Sequence, residues 1–161
     1  MPEIGNTAPD FTLPAVLPDG TGAPLALKGL RPRWVVLFFY PRDATPTCTR
    51  EAQDFSRLAP DFAAVGARVV GISRDPVGAH RRFIVKQGLN LTLASDENGE
   101  VCAAYGVWGK KMLYGRAYDG ILRSTFLIDP AGQIAALWRG VKVAGHADAV
   151  LGSLVAAQNR P

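Results

Sequence analysis

Thiols and imidazoles are scarce in this chain: its 161 residues include two cysteines, Cys48 and Cys102, and two histidines, His80 and His146. A pair of cysteines makes no disulfide framework, which suits a reducing compartment and leaves the thiols for chemistry. No C-x-x-C, H-E-x-x-H, P-loop or G-x-S-x-G arrangement occurs. A zinc site, a nucleotide site and a serine hydrolase are therefore disfavoured, and neither metal nor cofactor is expected. The opening, MPEIGNTAPDF, has no basic segment leading into an apolar run, so no secretory signal is visible and the cytoplasm is the expected location. Basic runs never exceed two residues, as at Arg81-Arg82 and Lys110-Lys111, so the formal charge of +4 reads as solvated surface and no nucleic-acid partner is expected. Repeats and low-complexity segments are missing too; Pro14 to Pro24 is a turn-rich connection.

What is present is apolar material for a core. With 48% hydrophobic and 20% charged residues, residues 1–161 read as a single globular domain. The stretch from Trp34 to Tyr40, WVVLFFY, suits a strand buried on both faces and is too short to span a membrane. Pro41 ends it. After a short loop, Thr45 offers a side-chain acceptor at a helix N-cap, Pro46 takes the first helical position and Cys48 the third. Cys48, Ala52, Phe55, Ala59 and Phe62 then recur at helical spacing, so the face that carries the thiol also packs inward.

A helix N-terminus favours thiolate over thiol through unpaired N–H groups and the macrodipole. The effect is at most ~2 kcal/mol, or about 1.5 pKa units for a thiol at about 1.36 kcal/mol per unit. A well-populated thiolate at neutral pH therefore needs a cation as well, and a nearby Arg adds roughly one to three units. The residues by themselves also allow a plainer reading, in which Cys48 is a small buried apolar side chain.

Further along, Phe11 to Val16 and Pro24 to Lys28 fit a peripheral hairpin around Asp19-Gly20. Ala67 to Ser73 reads as a second buried strand. Asp75-Pro76 then caps and opens a helix that stops near Gly88, giving a parallel crossover. Leu91 to Ala94 is a brief strand and Glu100 to Gly106 a brief helix. Arg123 to Ile128 and Gln133 to Trp138 form an antiparallel hairpin, and Ala147, Val150, Leu151, Leu154 and Val155 mark a last amphipathic helix. The order indicates an α/β fold with a mixed central sheet and helices on both faces.

Pro41, Thr45 and Cys48 stand as P-x-x-x-T-x-x-C directly after a strand ending FFY. This resembles the peroxidatic-cysteine motif of the peroxiredoxins, and FFYPRDATPTCTREAQDF is most similar to the subfamily called bacterioferritin comigratory protein, or Q-type peroxiredoxin. GNTAPDFTLP, AYGVWGKKMLYG and RSTFLIDPAGQI extend the likeness over nearly the whole chain. The resemblance implies a thioredoxin-like fold and an active site of Cys48, Thr45, Arg123 and Pro41. By periodicity alone Arg123 is a solvated strand-end residue; by resemblance it is the missing cation. Trp108 and Tyr114 flank Lys110-Lys111 in a Gly-bounded loop, read as packed or, by resemblance, as a rim to the thiol pocket. His80 is expected to be exposed and His146 to be a cap or surface residue.

Departures from the family pattern bear on how the oxidised thiol is returned. Many relatives carry a resolving cysteine five residues after the peroxidatic one, where this chain has Gln53; others place it in the helix after the second strand, and Pro76 to Gly88 holds none. Cys102 is left as a possible resolving residue, though its neighbours read as core. Thr47, where relatives usually have Gly, places a β-branched side chain beside the thiol.

Three functions follow as candidates. The first is a thiol-dependent peroxidase acting on hydrogen peroxide and organic hydroperoxides through a Cys48 sulfenic acid. Thioredoxin, glutaredoxin or a low-molecular-weight thiol would reduce it in a one-cysteine manner, in a monomer. The second is a thiol–disulfide oxidoreductase, disfavoured by the missing C-x-x-C pair. The third is a redox-inert binding or chaperone-like domain.

Overall fold

The computed structural model describes residues 1–160, with the backbone alone at Leu113. Its centre is β3 (Trp34–Phe39), and the apolar run is continuous because both faces of this strand are covered. Helix α1 (Pro46–Ala64) crosses to β4 (Ala67–Ser73), and α2 (Val77–Gln87) crosses to β5 (Thr92–Ser95), so β3, β4 and β5 run parallel. The β1 (Thr12–Val16) and β2 (Gly22–Ala26) hairpin is not peripheral: β1 pairs with β5 and extends the main sheet. On the other side, β8 (Ser124–Ile128) and β9 (Ile134–Arg139) add antiparallel to β3. The strand order is β2-β1-β5-β4-β3-β8-β9.

Alternation along β3 divides the core in two. Val36, Phe38 and Tyr40 face Phe55 and Phe62 of α1, Phe83 of α2, and Val150 and Leu154 of α4 (His146–Gln158). Val35, Leu37 and Phe39 face the other layer, built from Leu13, Leu25, Tyr105 and α3 (Glu100–Ala104). Helices therefore cover both sides of a mixed sheet, the thioredoxin-like arrangement expected. Cys48 belongs to the first layer and Cys102 to the second. Gly71 lets the first layer close up: a Cβ there would lie 2.7 Å from Phe38, whose ring stacks on Phe55 at 4.6 Å.

Two local expectations need correction. Pro76 stands at the N-cap of α2, and the Asp75 carboxylate does not cap the helix; it accepts from the Ser73 hydroxyl and the Asp43 amide. The segment around Lys110-Lys111 is not a loop but a hairpin of β6 (Trp108–Leu113) and β7 (Arg116–Ile121). Its two-residue connection, Tyr114-Gly115, has both φ values positive, the geometry of a tight hairpin turn. A tyrosine at the first turn position hid that signal, since Asn, Asp or Gly usually mark it. No helix among the described residues is long and apolar enough to cross a membrane.

Candidate active site

Cys48 is the third residue of α1, after Thr45 at the N-cap and Pro46 in the first turn, and it is 2% exposed. The inward stripe is Cys48, Glu51, Ala52, Phe55, Leu58 and Phe62, with Ala59 only half-buried. The sulfur thus lies in the first turn, where free N–H groups and the dipole favour negative charge.

Arg123 supplies the cation. The register that pairs Ser124 with Phe39 puts Arg123 at the end of β3, where the chain turns into the cysteine loop. Its Nη2 donates to Cys48 Sγ at 3.3 Å and its Nη1 to Glu51 Oε1 at 2.6 Å. Burial opposes the charge on Arg123, but Glu51 and Cys48 outweigh burial and raise its pKa.

Glu51 is the main feature that the sequence reading did not single out. It is 1% exposed, and burial pushes its carboxyl up to about 7 against the pull of Arg123. Oε2 is buried without a hydrogen-bond partner among the described residues, so nothing there offsets the charge that burial penalises. A signal existed: Glu51 follows Cys48 by three residues, on the inward stripe, and an acid there requires a cation. Arg123 is held charged by its anionic partners while burial favours the neutral acid in Glu51, so the pair ionises fully only as pH rises through neutrality.

Thr45 occupies the N-cap but makes no side-chain cap. Its hydroxyl donates to Arg42 O at 2.9 Å, and its carbonyl oxygen accepts from the Thr49 amide and hydroxyl. With its proton committed to Arg42, the hydroxyl is left able to accept. Pro41 lines a groove of about 500 Å³ with Arg42, Arg74, Trp108, Lys111 and Tyr118, next to the thiol rather than around it. Trp108 lies in that rim, with Arg74 over its ring at 4.7 Å. Tyr114, at the hairpin tip, is 97% exposed and does not line it. Lys111 is close enough to feel both partners: burial and then Arg123 lower its pKa, and Cys48 raises it.

Both histidines are buried, against expectation. His80 lies on the inner side of α2 with Phe83 and Ile84, and its two ring nitrogens are bonded to Asp43 and Ala94 O. His146 begins α4 after a Gly145 cap, bonds Thr125 at 2.8 Å and packs edge-on against Phe55 and Trp138. Burial, then Arg123, pulls its pKa down to about 4, so it is neutral at physiological pH. The helical spacing that placed Ala147 and Val150 inside did not extend to the residue that begins the helix. Cys102 lies in α3, where its amide donates to Asp96 Oδ2 at 2.8 Å; burial first, and Asp96 next, push its thiol pKa up.

Residues 4–137 match the AhpC/TSA family. The chain is 47% identical to Peroxiredoxin Bcp of Xanthomonas campestris over 149 residues, 92% of each chain. With Peroxiredoxin Bcp of Escherichia coli the identity is 39% over 149 residues, 92% of this chain and 93% of that one. Among solved structures, a mutant of Xylella fastidiosa PrxQ superposes with a TM-score of 0.91 at 38% identity, covering 99% of both chains. Xanthomonas campestris bacterioferritin comigratory protein, described for its alkyl peroxide reduction activity, gives a TM-score of 0.82 at 46% identity, over 90% of this chain and 91% of that one.

Proposed function

The chain is a peroxiredoxin of the AhpC/TSA family, and from that premise we propose that Cys48 is the sulfur that its thiol-dependent peroxidase activity uses. The observation that carries this is the 3.3 Å contact from the Arg123 guanidinium to a thiol in the first turn of a helix. Cationic and dipolar groups favour thiolate there, and the thiolate is the nucleophile.

Cys48 thiolate attacks the outer oxygen of a hydroperoxide; an S–O bond forms, the O–O bond breaks, and the alkoxide leaves and takes up a proton. Sulfur is oxidised to the sulfenic acid and the peroxide is reduced to an alcohol, or to water when hydrogen peroxide is the substrate. Arg123 holds the thiolate and offsets the charge that moves onto the peroxide oxygens. Thr45, with its proton committed to Arg42, accepts a hydrogen bond from the peroxide O–H, and Pro41 shapes the approach.

Return of the enzyme requires a thiol. An external thiol attacks the sulfenic sulfur and releases water, and a second thiol then displaces Cys48 from the mixed disulfide, leaving an oxidised reductant. Thioredoxin, glutaredoxin and low-molecular-weight thiols supply that chemistry. The one-cysteine course is supported by the position of Cys102, which packs on the opposite face of the sheet from Cys48. Peroxide consumption by wild type but not by Cys48→Ser tests the assignment. Intact mass after one equivalent of peroxide should show added oxygen rather than the loss of two hydrogens that a disulfide brings.

A further inference from the structure

A second group of buried polar side chains, outside the Cys48–Arg123–Glu51 set, stands behind the loop that carries the chain from β3 into α1. Asp43 is its centre. One carboxylate oxygen accepts from the Tyr40 hydroxyl at 2.6 Å, and the other lies 2.7 Å from His80 Nδ1. The Asp43 amide donates to Asp75 Oδ2 at 2.9 Å, and that same oxygen accepts from Ser73 at 2.6 Å. His80 is fully buried and Tyr40 nearly so. His80 Nε2 lies 3.0 Å from Ala94 O, which can only accept, so that nitrogen carries a hydrogen. Nδ1 and the Asp43 oxygen meet at hydrogen-bonding distance in a site closed to water. The loop is thus tied to β3, the end of β4, α2 and β5 at once.

What the ties hold is not a relaxed loop. Ala44, next to Asp43, has φ of +63°, a conformation that residues with a Cβ avoid. Thr45 follows, and Cys48 is three residues beyond it. We propose that His80 and Asp43 form a clamp that positions the Pro41–Thr45 loop for peroxide reduction, making both of them positioning residues of the reaction. The clamp rests on the peroxidase reading of Cys48 and acts on how the peroxide is held rather than on the sulfur itself. Without it, Ala44 relaxes out of its strained turn and moves the Thr45 hydroxyl and the groove wall at Pro41 and Arg42.

The test compares two reactions of the same sulfur. Reaction with hydrogen peroxide, followed by rapid-mixing fluorescence, needs the loop in place; alkylation by iodoacetamide needs only an accessible thiolate. In His80→Ala and Asp43→Ala the peroxide rate constant should fall at least about tenfold while alkylation stays within about threefold of wild type. Asp43→Asn should keep the peroxide rate, because its amide oxygen still accepts from Tyr40 and its NH2 donates to an unprotonated Nδ1. Thermal melts establish that each variant is folded, and if His80→Ala is not, the Asp43→Ala and Asp43→Asn comparison decides alone. Folded alanine variants with wild-type peroxide rates, or with equal losses in both reactions, would overturn the clamp. A wild type inert to peroxide would overturn the peroxidase reading beneath it.

Discussion

Arg123 divides one guanidinium between two acids, and their balance sets the local charge. While Glu51 is protonated, the cation serves the sulfur undivided; once Glu51 ionises, a buried carboxylate competes for it. Arg123→Ala should slow peroxide reaction by about a hundredfold, the scale of losing one preorganised donor. Pairing it with Glu51→Gln avoids leaving an unpaired buried acid, and an unchanged rate in the folded double variant would remove Arg123 from the site. Stability should carry the same signature. Glu51 titrates near 7 in the fold against an ordinary value of 4.5, so between these values folding takes up a proton. Its contribution is full below 4.5 and is lost as pH rises to 7, an effect of about 3 kcal/mol at about 1.36 kcal/mol per unit. Denaturant unfolding of wild type should therefore weaken across that window, and Glu51→Gln should flatten the slope.

The element that sets this geometry is the first turn of α1 with the loop before it. Thr45 contributes through its backbone carbonyl and through a hydroxyl turned back to Arg42, not through a side-chain cap. Arg42 is exposed, so water can replace the lost donor. Thr45→Val should consequently cost no more than about 1 kcal/mol, near the lower end for a lost cap. The peroxide rate should fall more than that figure implies if the hydroxyl accepts from the substrate. Thermal melts beside rapid-mixing rates separate the two, and a rate that follows stability alone would make Thr45 only a structural residue.

At the scale of the whole molecule, the sheet keeps the two thiols apart. Cys48 packs with α1, α2 and α4, and Cys102 packs with Phe39, Tyr105 and Phe126 on the far side. Direct resolution would require Cys102, fully buried and with its thiol pKa raised, to leave α3 and travel round the sheet. Steady-state turnover of Cys102→Ser with a thiol reductant should therefore stay near wild type. Loss of turnover with over-oxidised Cys48 would mean that a large unfolding step delivers Cys102 after all.

Much of this was legible from local pattern. WVVLFFY suited a strand covered on both faces, ARVVGIS read as its parallel neighbour, and Thr45, Pro46 and Cys48 as the opening of a helix, because apolar runs and breakers act over a few residues. The need for a cation followed from the size of the helix-terminus effect alone. Which residue met that need was a matter of register: pairing Ser124 with Phe39 brings a residue 75 positions distant to the sulfur, and no local signal encodes that pairing. The same holds for His80 and His146, each flanked by polar or loop-like sequence yet buried where its own helix packs against the sheet. Burial of Glu51, the separation of the two thiols and the strained turn at Ala44 were likewise decided by the tertiary structure. Each depends on what packs against a side chain from elsewhere in the chain, whereas periodicity records only which face of an element turns inward.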